Sequence, residues 1–209
     1  MTLLYVTANP KREQDSYSLQ LGKCFLDVFT KNCPHTDITK LNLFKVNLPP
    51  LEKEALAAWE RFGANKHDIT MTNPFVEQFL RAEIIVFVTP LWNMSFPPQV
   101  KAYIDQLIIP EKTFTFTKEG IKGLAYDKTI VHLQACGGVY SEGPLASLEH
   151  GNAYLQTIFS LIGVKDYYHI SIEGTSTFPQ EVGERLKKAQ EKACKLAEAL
   201  SDGGRTGRH

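Results

Sequence analysis

Charge of one sign is not in surplus here: 23 Lys and Arg balance 23 Asp and Glu, for a formal net charge of zero. No dense Lys/Arg block is present, which argues against a nucleic-acid partner. Long apolar runs are missing too. Met1 leads straight into the short stretch Leu3-Leu4-Tyr5-Val6, so neither a signal peptide nor a membrane span is expected. Cysteine is sparse. Cys24, Cys33, Cys136 and Cys194 show neither disulfide-scaffold density nor metal-ligand spacing. All four are expected to be reduced, mostly buried thiols of a cytoplasmic protein, with no metal. The glycine-rich dinucleotide loop and the Walker loop are both absent.

What is present suits one globular domain. The 209 residues are 43% hydrophobic and 22% charged, enough for a sizeable core. Residues 1–200 are expected to form it. The tail, residues 201–209, has three glycines and no apolar residue, and is expected to be disordered.

Short apolar runs alternate with helical patterns. Ile84-Ile85-Val86-Phe87-Val88 fits a central parallel strand covered on both faces. Residues 3–7, 37–43, 129–134 and 164–172 are the other strand candidates. Helices are predicted over residues 18–31, from Asn73-Pro74 to just before the central strand, and over 100–109, 145–161 and 181–200. Asn73 caps and Pro74 opens the second of these. Such alternation predicts an α/β fold with a five-stranded parallel sheet of order 2-1-3-4-5 and helices on both faces. Two insertions interrupt it. One, residues 49–68, carries Trp59 and Phe62; the other, residues 112–126, is rich in Phe and Gly.

In this topology three loops meet at one sheet edge. The first runs from Asn9 through Ser16-Tyr17-Ser18 into a helix, offering hydroxyls and free N–H groups to a phosphate. In the second, Pro90-Leu91-Trp92-Asn93-Met94, Trp92 and Met94 offer contact area to a flat conjugated ring and Asn93 a polar rim. The third is Ala135-Cys136-Gly137-Gly138-Val139, where paired glycines let the main chain approach a ligand edge.

Taken together, these segments resemble the FMN-dependent NADH-azoreductases, flavodoxin-like proteins related to the NAD(P)H quinone reductases. The resemblance spans residues 2–200. It is carried by Asn9 with Ser16-Tyr17-Ser18, by residues 90–94 and 98–105, by Thr113-Phe114-Thr115-Phe116, by Gly120 and Gly123-Leu124, and by Gly137-Gly138. The family usually has Ser at Asn9, Tyr at Trp92, Phe at Met94 and Arg at Cys136. Loss of a long cation at Cys136 points to altered flavin affinity or acceptor preference.

The resemblance implies FMN as cofactor and NADH or NADPH as electron donor. It also implies a ping-pong transfer of electrons to quinones, and reductive cleavage of azo compounds in two passages. Homodimers with flavin sites at the subunit boundary are implied as well. No protein nucleophile is required; Tyr126 or Tyr140 are candidate proton donors. Trp59, Phe62, Phe114 and Phe116 are candidate covers for the ring, and His150 a residue of the pocket mouth. His132, between Val131 and Leu133, is expected to be structural. Two other readings fit the same fold: a flavodoxin-type electron carrier, and a flavin-free structural or regulatory protein.

Overall fold

The branched run starting at Ile84 organises the molecule, because every residue of its strand is buried and must be covered on both sides. The computed structural model describes residues 1–53, 56–57 and 72–203. In chain order the described strands are β1 (Thr2–Thr7), β2 (Asp37–Asn42), β3 (Ile84–Pro90), β4 (Phe114–Thr117), β5 (Gly120–Gly123), β6 (Thr129–Ala135) and β7 (Asp166–Ile172). The described helices are α1 (Tyr17–Asn32), α2 (Pro74–Arg81), α3 (Pro98–Leu107), α4 (Gly151–Leu161) and α5 (Val182–Gly203).

Five strands pair in parallel in the order β2-β1-β3-β6-β7. This is the predicted 2-1-3-4-5 order, with β6 and β7 as its fourth and fifth strands. Alternate side chains of β3 serve two cores. Ile85 and Phe87 pack with Phe79, Tyr103, Ile104 and Phe159 of α2, α3 and α4. Ile84, Val86 and Val88 face Leu21, Phe25, Ala189 and Ala193 of α1 and α5. Helix α2 begins as predicted: Asn73 Oδ1 accepts the Phe75 and Val76 amides, both at 2.9 Å, with Pro74 at the first turn. At its other end, buried Lys128 donates Nζ–H to the Leu80 and Ala82 carbonyls at 2.8 and 3.0 Å, closing orphan helix-end acceptors.

The Phe/Gly-rich insertion folds as the antiparallel hairpin β4–β5. Three expectations need correction. The helix expected from residue 145 starts at Gly151. A short 3-10 turn precedes it, because the Leu145/Leu148 spacing fits an i→i+3 turn equally well. Helix α5 continues into the supposed tail, where buried Ser201 donates its hydroxyl to the Ala197 carbonyl at 2.6 Å; residues 204–209 lie outside the described ones. Finally, Cys24 and Cys194 are not free thiols but form a disulfide between α1 and α5. The two lie 170 residues apart, so only the packing of the helices brings them together. Cys33 and Cys136 are free. No helix among the described residues is long and apolar enough to cross a membrane.

Gly123 pins the hairpin to the domain: a Cβ there would collide with the main chain of Ile162 and Gly163. Gly123→Ala is expected to destabilise the protein by about 1–3 kcal/mol, as overpacking does. Urea denaturation checks this, and an unchanged midpoint contradicts it.

Candidate functional site

Parallel strands end with amides and carbonyls that have no ladder partner beyond the sheet edge. Here the carboxyl ends of β1, β3, β6 and β7 all deliver loops to one edge, in register. Ala8 N–H bonds the Val88 carbonyl at 3.0 Å, Leu91 N–H the Ala135 carbonyl at 2.8 Å, and Cys136 N–H the Ile172 carbonyl at 2.8 Å. The loops enclose a cavity of about 280 Å³ at the crevice beside β1 and β3, where a doubly wound sheet takes its ligand.

At one end of this cavity lies an uncharged donor cluster. Asn9 Nδ2 donates to Ser16 Oγ at 2.8 Å and to Ser18 Oγ at 3.4 Å, and the two hydroxyls are 3.1 Å apart. Ser16 is the N-cap of α1 and accepts the Leu19 amide. All three side chains are buried. Asn9 Oδ1 also accepts the Lys11 amide at 3.0 Å, which leaves its Nδ2 turned to the two hydroxyls, and an anion seated at the positive end of the helix would be well met. Lys11 and Asp15 also line the cavity, one charge of each sign.

At the other end are Pro90, Leu91, Trp92, Ala135 and Gly137. Trp92 is 37% exposed and meets Phe44 edge-on at 6.4 Å between ring centroids, so it is not a core residue. The next two residues form a tight turn closed by reciprocal Trp92–Ser95 amide–carbonyl bonds at 2.6 and 3.0 Å. Asn93 and Met94 both adopt left-handed backbone there, with φ of 50° and 66°. That conformation is costly for Met, and such strain concentrates at functional loops. Gly137 lies against the turn after β7: a Cβ would stand 3.1 Å from Ser176 Oγ, which also borders the cavity. A side chain at this point would have to push the Ser176 hydroxyl aside by a few tenths of an ångström.

Of the predicted ligand-binding residues, Asn9, Ser16, Tyr17, Ser18, Pro90, Leu91, Trp92, Ala135 and Gly137 line this one cavity. Asn93, Met94, Cys136, Gly138 and Val139 belong to the same loops but lie outside its lining. The Cys136 thiol is buried, and burial first, then Glu173 and Glu149, pushes its ionisation up. Tyr140 bridges two of the loops, donating its hydroxyl to Met94 Sδ at 3.5 Å. Thr175 and Ser176 also line the cavity and were not anticipated. Their turn braces the glycine loop through Thr175 N–H to Cys136 O at 3.1 Å and Ser176 N–H to Gly137 O at 2.9 Å. Glu173 accepts the Tyr140 and Ser141 amides of the same loop.

The remaining pocket residues are placed elsewhere. Tyr126 sits three residues before β6, at the sheet edge opposite the cavity. It does not line this cavity. Phe114 is core, and Phe116 is 63% exposed; neither lines the cavity, because the hairpin is anchored beside Ile162. His150 precedes α4, donates its amide to the Met94 carbonyl at 2.9 Å, and lines a separate groove of about 540 Å³ with Phe96, Lys101 and Tyr154. Trp59 and Phe62 lie outside the described residues.

His132 is structural, as expected. It is fully buried between Thr89 Oγ1 at 2.9 Å and Asn152 Oδ1 at 3.0 Å. A neutral ring fits this pairing, donating Nδ1–H to Asn152 and accepting the Thr89 hydroxyl at Nε2. Gln134 continues the support, donating to Glu149 at 3.0 Å, whose carboxylate also accepts the Asn152 amide of α4 at 2.8 Å. Thr89 and Gln134 stand just before the cavity residues Pro90 and Ala135, so the network fixes both loop roots.

A doubly wound sheet whose switch point holds a cavity lined by hydroxyls, a helix start and an exposed Trp is the architecture of the flavodoxin-like class. The family described as flavodoxin-like fold matches residues 1–197. A relative from Staphylococcus haemolyticus, named FMN-dependent NADH:quinone oxidoreductase, is 39% identical over 94% of this chain and 95% of its own length. The crystal structure of an azoreductase from Bacillus anthracis superposes with a TM-score of 0.87 at 33% identity, covering 94% of this chain and 98% of that one. A second, an FMN-dependent NADH-azoreductase from the same species in complex with FMN, gives 0.85 at 27% identity over 96% and 100%. The chain belongs to the flavodoxin-like family, within its FMN-dependent NADH:quinone oxidoreductase and azoreductase group.

Burial, then the neighbouring His169, pushes the His132 imidazole down to about 3. The folded chain therefore keeps this ring neutral where the unfolded chain takes up a proton, near pH 6.5. Stability from the neutral ring is complete above that pH and is lost as pH falls towards 3, by at most about 1.4 kcal/mol per unit. His132→Gln should flatten this loss. Urea unfolding of both proteins at neutral and mildly acidic pH measures it, and equal pH dependence contradicts the assignment.

Proposed function

We propose that this protein is an FMN-dependent oxidoreductase that passes electrons from NADH or NADPH to quinones and to aromatic azo compounds. The observation that carries the reading is the single cavity that joins the Asn9–Ser16–Ser18 cluster to the slot between Trp92 and Gly137. Its two ends match the two ends of a phosphorylated aromatic ring. The names of the relatives and the FMN complex of a similar protein point the same way.

Asn9, Ser16, Ser18 and the α1 amides would hold the phosphate. Trp92 and Leu91 would cover the ring, while Gly137 and the Ser176 turn set its edge. When bound, FMN supplies two-electron redox chemistry, taking a hydride from the nicotinamide and releasing electrons to an acceptor that occupies the same place in turn. The protein's own part is orientation and field. Main-chain amides around Gly137 favour negative charge at the ring edge, and the Tyr140 hydroxyl stands within the loop pair as a proton source.

A homodimer with shared flavin sites completes the reading. It is supported by the exposed Phe116 and Ile121 of the hairpin, which stand free of their own cavity, and by the groove of Phe96, Ala153 and Tyr154 beside the Trp92 loop. Dependence on NADH fits a cytoplasmic site of action.

FMN added to the stripped protein is expected to restore a yellow, 1:1 complex that oxidises NADH with a quinone and no protein partner. Reciprocal initial-rate plots at several quinone concentrations should be parallel. Ser18→Ala should weaken FMN binding roughly tenfold, as loss of one hydrogen bond to a charged group does. Absence of any FMN complex overturns the proposal, and intersecting plots overturn its ping-pong order. Light scattering is expected to give twice the chain mass, reduced towards one chain mass by Phe116→Asp; a monomeric wild type contradicts the dimer.

A further inference from the structure

The disulfide between Cys24 and Cys194 lies outside the cavity and outside the chemistry just described. It joins the middle of α1 to the middle of α5 with 6.4 Å between Cα atoms, a separation that bridged cysteines adopt without backbone movement. These two helices already pack closely without it: Leu21, Phe25 and Phe29 of α1 meet the small side chains of Ala189, Ala193 and Ala197. The sulfurs therefore stay within reach of each other whether or not the bond exists.

The surroundings suit both oxidation states. Cys24 Sγ is 3.7 Å from the Gln190 carbonyl and Cys194 Sγ is 3.9 Å from the Cys24 carbonyl, so each thiol has an acceptor when reduced. Access exists as well. Cys24 and Cys194 are each partly exposed, and Cys24 lines an open surface groove of about 380 Å³ with Gln20, Lys23, Asp27 and Gln190, through which a small thiol or disulfide would approach the pair. A structural bridge sealed in a core would have no such entrance. In reducing compartments, bonds of this kind are usually transient or redox-sensing.

We propose that Cys24 and Cys194 form a reversible thiol–disulfide site, closed by low-molecular-weight disulfides and opened by dithiols. In closure, the Cys24 thiolate attacks the small disulfide and expels one small thiol. The Cys194 thiolate then attacks the mixed disulfide at Cys24 and expels the second. The protein loses two protons and two electrons, and the small disulfide gains them as two thiols. Closure fastens α1, whose first turn carries Ser16 and Ser18, to the C-terminal helix. Ser18 is six residues from Cys24, less than two helical turns, so the bond anchors the helix close to the phosphate cradle. It also closes a loop of 170 residues, which restricts the unfolded chain and stabilises the oxidised form.

The test uses the full chain without added FMN, so its outcome is independent of the cofactor reading. The protein is incubated with glutathione disulfide or with dithiothreitol, its thiols are counted after denaturation, and melting is followed by circular dichroism. The expected result is two thiols after oxidation, at Cys33 and Cys136, and all four after dithiol treatment of the native protein. Reduction should lower the melting temperature by roughly 5–15 °C. Cys24→Ser and Cys194→Ser should each melt like reduced wild type in both conditions, while Cys33→Ser keeps the full shift. Four thiols persisting in glutathione disulfide, a bond resistant to dithiol in the native protein, or equal melting of both forms each overturns the proposal.

Discussion

Parallel pairing of β1 with β3 is the constraint on which the rest depends. It places the carboxyl ends of both strands side by side, with the chain leaving β1 towards β2 on one flank and reaching β6 on the other. A crevice opens where the two directions part, and no strand can fill it. The helix after β1 must then begin at that crevice, and its unpaired first-turn amides face inward. An anion site is the direct consequence of strand order, before any particular side chain is considered. Asn9, Ser16 and Ser18 refine it by adding neutral donors that need no counterion.

The ring end of the cavity is held by different means. Its loops do not rest on apolar packing alone but on buried polar groups that lock their roots. His132 with Thr89 and Asn152, and Gln134 with Glu149, tie β3 and β6 to the start of α4. Glu173 and the 174–177 turn hold the glycine loop from the other side. A buried network of this kind is costly if any member is unpaired and rigid when all are satisfied. That rigidity lets Met94 keep a left-handed backbone that it would not choose alone.

Much of this was legible in the sequence, for identifiable reasons. An uninterrupted branched run such as Ile84 to Val88 can hardly be anything but a central strand, and Asn73-Pro74 marks a helix start by capping chemistry alone. Loops that follow strands could be assigned to one edge once the order was inferred. The same rule would have found Thr175 and Ser176, a hydroxyl-bearing turn directly after β7, had it been applied to the last strand. What stayed hidden depends on three-dimensional packing. The position of Tyr126 follows from where β6 begins, and Phe114 is core because the hairpin folds back on Ile162. The Cys24–Cys194 pair leaves no trace in local spacing. The relatives bear out the family resemblance, although Trp92, Met94 and Cys136 depart from its usual residues.

Amide chemical-shift mapping during titration with FMN tests the central claim most directly, because it reports on the main chain rather than on turnover. Large shifts are expected at residues 9–18, 91–94, 135–138 and 175–176, all at the carboxyl edge of the sheet. Shifts confined to residues 108–113, 124–128 and 162–165, away from that edge, would contradict the account.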